Sequence, residues 1–111
     1  MKNERNINPN FPSVIAFLHE LHRAGVVEKY KRLAKEQDFE RNMRITYQWF
    51  SGVSTRVSIA EEYNISVKRV EQIATRTFRR LYEMSSFRQQ LEFLQSIDVD
   101  NFKPQRRTVR K

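Results

Sequence analysis

Lys68, Gln72, Thr75 and Arg79 recur at intervals of three and four, and Arg69, Arg76 and Arg80 stand beside them. At about 100° per residue, the first four centre one side of a helix, with Arg69 and Arg76 flanking it. Such a face carries cations and a primary amide but no acid–base pair, so its chemistry is recognition. Lysine donates to guanine acceptors, glutamine bonds adenine in a bidentate way, and arginine serves bases or phosphates. When a helix enters a major groove, its N-terminal part meets base edges while flanking groups hold the backbone. Lys68, Gln72 and Arg69 are therefore expected to read bases. Arg76, Arg79 and Arg80 are expected at phosphates, with Arg56, Ser66 and Thr75 completing that set. An ordinary amphipathic helix with a solvated basic face shows the same periodicity, so the elements around the stretch must decide.

Other residues offer less. His19 and His22 flank Glu20, and two histidines at that spacing without a third ligand read as surface groups rather than a metal site. Glu61 and Glu62 lie about 100° apart on a helix and do not converge. There is no glycine-rich phosphate loop and no nucleophile motif with a nearby base, so no enzyme, cofactor or metal is expected. Tyr47, Trp49 and Phe50 can stack on bases as in single-strand binders, but their place on a helix points to the core.

The elements that must hold the cationic face are legible on either side of Asn64. Ile59, Ala60 and Tyr63 supply the inward side of a first short helix, and the small Ala60 permits close crossing. Asn64 falls where the chain leaves that helix, and Asn tolerates positive φ. Ser66 then caps a longer helix by accepting from the backbone N–H of Lys68 or Arg69, with Ile65 and Val70 as hydrophobic staple. Val70, Ile73, Ala74, Thr77 and Leu81 fall inward, Phe78 at their margin. The whole reads as a helix-turn-helix over residues 55–81.

The rest of the chain is also helical, since apolar residues recur at three and four and only two glycines and three prolines interrupt them. Pro12 opens a helix with Val14, Ile15, Leu18 and Leu21 inward, and Gly25 caps it. A segment from 26 to 36 carries Val27, Tyr30 and Leu33 inward and Lys29, Lys31, Arg32 and Lys35 outward. A third, 39–50, presents Met43, Tyr47 and Phe50 and ends at Ser51 and Gly52. The last, 86–97, presents Phe87, Leu91, Leu94 and Ile97, as core packing or as the interface of a homodimer.

The 111 residues fit one domain. A hydrophobic share of 39% is enough for a core. The expectation is an all-α compact bundle of five or six helices over 12–97, with a flexible N-terminus over 1–11 and a flexible basic tail over 98–111. Arg106, Arg107, Arg110 and Lys111 of that tail would track phosphates or enter a minor groove. A net charge of +8 and pI near 10.2 favour a polyanionic partner. Without cysteines, and with no run approaching the roughly 20 apolar residues of a membrane span, secretion and membrane insertion are disfavoured and a cytoplasmic location is expected.

From Phe39 to Tyr82 the chain also resembles region four of bacterial sigma factors, their C-terminal DNA-binding domain. The match is closest over Tyr63-Asn64-Ile65-Ser66-Val67-Lys68-Arg69-Val70-Glu71-Gln72-Ile73 and Arg79-Arg80-Leu81, and Trp49-Phe50-Ser51-Gly52 is similar to the segment ahead of the family's helix pair. The resemblance implies a last long helix in the major groove, with base contacts from Lys68, Gln72 and Val67. The family has basic residues where Val67 and Glu71 stand, an acidic one at Lys68 and leucine near Arg56, so its promoter sequence does not follow from the match. Phage activators of middle transcription are similar over Ile59-Ala60-Glu61-Glu62-Tyr63-Asn64-Ile65-Ser66, which implies a phage or mobile-element regulator. Residues 1–38 have no counterpart in either family. The function these readings imply is sequence-specific binding of double-stranded DNA in transcription regulation. The rival is an adaptor that binds RNA polymerase or another regulator through the stripes Val14, Ile15, Leu18, Leu21 and Val27, Tyr30.

Overall fold

Residues 9–97 are described by the structure, a computed structural model, and they form six α-helices. These are α1 Phe11–Arg23, α2 Val26–Ala34, α3 Phe39–Ser51, α4 Arg56–Tyr63, α5 Val67–Met84 and α6 Phe87–Ser96. Each boundary has a local cause. Pro12 sits in the first turn of α1, where its missing N–H has no intrahelical partner to lose. Gly25 takes φ 84° between α1 and α2, a left-handed conformation that glycine adopts without penalty. A Cβ there would meet nothing within 4 Å, so the backbone angle alone calls for glycine. Lys35 and Gly52 end α2 and α3 in the same left-handed region. The hydroxyls of Thr55, Ser66 and Ser86 accept from the third backbone N–H beyond each, and at Ser86 Gln89 completes a capping box.

α5 is the axis of the bundle. It packs most extensively on α3, with α4 at its N-terminal end and α2 along one flank, while α1 lies on α3 and carries α6. Val14, Leu18, Leu21, Ile45, Ile59, Val70, Ile73 and Leu81 are sealed from solvent. Each contributes about 1.5–3 kcal/mol through removal of apolar surface from water, before the cost of ordering the chain. A second layer is aromatic. Phe17 and Phe93 stand 4.7 Å apart by ring centroids, and Phe78 lies 5.6 Å from Phe93 and 5.7 Å from Phe50.

Three expectations are corrected by the packing. α6 turns a different face inward: Phe93 is buried, whereas Phe87 is 78% exposed and Leu91 and Leu94 also face solvent, and of the four residues expected inward Ile97 packs on the core. Phe93 completes the cluster of Phe17, Phe78 and Tyr82, and Gln90 Nε2 donates to the Tyr82 carbonyl at 2.8 Å, which fixes the rotation of the helix. Leu33 is exposed too, because α2 uses Ala34 on its inward side and Lys35 then ends the helix before Glu36. Phe11 already belongs to α1, with its ring 5.0 Å from Phe50, so order begins earlier than expected. The tail over 98–111, with Arg106, Arg107, Arg110 and Lys111, lies outside the described residues, as do residues 1–8.

Candidate nucleic-acid interface

Asn64, Ile65 and Ser66 form the turn between α4 and α5. Asn64 adopts φ 57°, ψ 48°, and its N–H bonds the Glu61 carbonyl while that of Ile65 reaches Ala60 at 3.0 Å. Ser66 then takes an extended conformation, and its Oγ accepts from the Arg69 N–H at 3.0 Å. Ala60 and Val70 are buried and Ile65 packs on the core, so the angle between the helices is held from inside. Gln48 of α3 holds α4 from the other side: its Nε2 donates to Glu62 at 3.0 Å and its Oε1 accepts from the Tyr63 hydroxyl at 2.8 Å. Nothing in the sequence marked Gln48, because a polar clamp between helices leaves no periodic signal.

With the turn fixed, α5 shows its outer face to solvent. Lys68, Arg69, Gln72, Thr75, Arg79 and Arg80 are all exposed. Among the described residues, Lys68, Arg69 and Arg79 take part in no ion pair, and the Gln72 amide in no hydrogen bond. Donors left in this state can be desolvated against base edges or phosphates without first breaking an internal contact. Val67 is only half-exposed and packs partly on the core. The Thr75 hydroxyl donates to the Glu71 carbonyl at 2.8 Å, so its proton serves the helix. Ser66 keeps its own hydroxyl proton, because its cap bond uses the oxygen as acceptor.

Two arginines are placed differently from the rest. Arg56, exposed at the start of α4, lays its guanidinium over the buried Trp49 ring, 5.4 Å from the centroid. It is thereby held beside the N-terminal end of the helix pair. Arg76, expected at a phosphate, is turned to Glu36 instead: its Nη2 donates to Oε2 at 3.0 Å. The same carboxylate accepts from Asn42 Nδ2 and from the Tyr30 hydroxyl, both at 3.3 Å. Arg76 therefore anchors α5 to the loop after α2. The cause is the left-handed Lys35, which ends α2 early and brings Glu36 back onto α5. Burial raises the Tyr30 phenol above its ordinary value and the Glu36 charge raises it further, while Arg80 beside it pulls the other way.

The remaining candidates resolve into packing. Trp49 and Phe50 are buried and Tyr47 is half-buried against the core, so none presents a ring to a base. His19 lies against Tyr47, His22 is exposed, and among the described residues no three His, Asp or Glu converge on a metal position. Among the same residues, no helix is long and apolar enough to cross a membrane. Comparisons with protein-family models, curated proteins and solved structures found no match.

Proposed function

We propose that this chain binds double-stranded DNA sequence-specifically and regulates transcription, with α5 as the helix that enters the major groove. One observation carries the reading: Lys68, Arg69, Gln72 and Arg79 are solvent-facing and unengaged on a capped helix whose opposite side is fully buried. Lys68 and Gln72, one turn apart near the N-terminal end, are the base readers, and Arg69 and Val67 border them. Arg79, Arg80, Arg56 and Ser66 are the phosphate contacts. The likeness to sigma region four and to phage middle-transcription activators supports the same assignment. It chooses the same end of the same helix.

The adaptor reading has less surface to rely on, because Val14, Leu18, Leu21, Val27 and Tyr30 are interior and Ile15 is partly buried against the core. Self-association has gained a surface. The exposed stripe of Phe87, Leu91 and Leu94 supports pairing of two copies through residues 86–97 on adjacent half-sites.

Selection of binding sites from random duplex DNA is the test. The expected result is one motif, duplicated as half-sites about 34 Å apart or a multiple of that if copies pair. Gln72→Ala or Lys68→Ala should relax the choice at single base positions, at about 1–3 kcal/mol each, whereas Arg79→Ala should weaken every sequence alike. Equal losses on selected and random DNA for Gln72→Ala would contradict the assignment.

A further inference from the structure

The flanks of α5 differ in charge. On one side Phe78 and Tyr82 face Phe17 and Phe93 of α1 and α6, and α6 carries one arginine and one glutamate, Arg88 and Glu92, 3.8 Å apart. On the other side Arg76 meets Glu36 and Arg80 meets Tyr30, so α2 runs alongside α5. α2 presents Lys29, Lys31 and Arg32 to solvent against a single acid, Glu28.

The contacts of α2 fix which way these cations point. Tyr30 faces α5. Lys31 is drawn down to the start of α3, where its Nζ lies 3.0 Å from Glu40 and 5.8 Å from the Phe39 ring centroid. At about 100° per residue, Lys29 lies about 160° from Lys31 on the opposite flank, and Arg32 lies about 160° from Tyr30 on the back of the helix beside Glu28. The flank of α2 that carries Lys29 is therefore the one turned away from the start of α3. Leu33 shares that flank, which is why it is left in solvent. Among the described residues neither Lys29 nor Arg32 is in an ion pair.

We infer that α2 is a second backbone-contacting element, with Lys29 and Arg32 meeting phosphates of the same duplex beyond the C-terminal half of α5. The inference rests on the reading of α5 as the groove helix. It makes the footprint lopsided, extended on the α2 side and short on the α6 side. Phosphate contacts of this kind add affinity and salt dependence but no sequence choice.

The test is a salt titration of binding to the selected duplex and to a random one, for the intact chain, Lys29→Ala/Arg32→Ala, and Lys31→Ala as control. The double variant should lower the slope of log affinity against log salt by about 1.8, at about 0.9 per phosphate, with the same fold-loss on both duplexes. It should also lose hydroxyl-radical protection at one edge of the footprint, and Lys31→Ala should bind like the parent. An unchanged slope and footprint in the double variant, with the parent binding normally, would overturn the role of α2 alone. Failure of the parent itself to bind any duplex would instead overturn the reading of α5. Normal duplex binding combined with lost adsorption to phosphatidylserine vesicles would assign the α2 cations to a membrane surface and overturn the inference.

Discussion

Asn64 and Ser66 decide where the two helices part, and each does so with one physical device. Asn64 sits in the left-handed region, where most side chains cost about 1–2 kcal/mol and Asn or Gly much less. Ser66 satisfies one backbone N–H of α5 that has no intrahelical acceptor. Asn64→Gly should therefore be near neutral in urea unfolding, while Asn64→Ala should lose about 1 kcal/mol or more and Ser66→Ala about 1 kcal/mol. Equal stability of Asn64→Ala and Asn64→Gly would show that the turn does not depend on that conformation. These two residues were legible because caps and turns are local: the side chain acts on backbone within three residues. Arg76 was not, because its partner is Glu36, forty positions earlier. Its helical angle put it beside the basic face, and only the early end of α2 brings a carboxylate within reach.

At the scale of elements, α5 and α6 read differently for a physical reason. α5 has one continuous apolar stripe, and all five residues expected inward, Val70, Ile73, Ala74, Thr77 and Leu81, are buried. α6 has two faces to choose from. One holds three large apolar residues; the other holds Phe93 and two glutamines, Gln89 and Gln90. The second face wins because Phe93 fits the ring cluster already formed by Phe17, Phe78 and Tyr82, and Gln90 finds a carbonyl. Periodicity counts apolar residues along one helix and contains nothing about the shape of the site that receives them. A pair of variants separates the two faces. Phe93→Ala should cost about 3–5 kcal/mol, whereas Phe87→Ser should leave the unfolding midpoint of the monomer within about 0.5 kcal/mol of the parent. A large loss for Phe87→Ser would return that face to the core.

For the whole molecule, the outer faces of α5 and α6 differ in character. The outer face of α5 carries Lys68, Arg69, Arg79 and Arg80, while that of α6 carries Phe87, Leu91 and Leu94 and its charges cancel. On the proposed reading, this cationic face draws in a polyanion and turns it toward α5. The all-α class and the helix pair were readable from spacing, because burial at three and four residues is a property of the chain itself. The partition of surface was not, since it depends on how α2 and α6 rotate on their neighbours.

An NMR titration of uniformly nitrogen-labelled protein with the selected duplex reports where the DNA sits. Backbone amides of residues 66–76 and the side-chain amide of Gln72 should shift most, with those of 87–96 largely unmoved in a single half-site. Strong shifts along α6 or α1 with α5 silent would contradict the account.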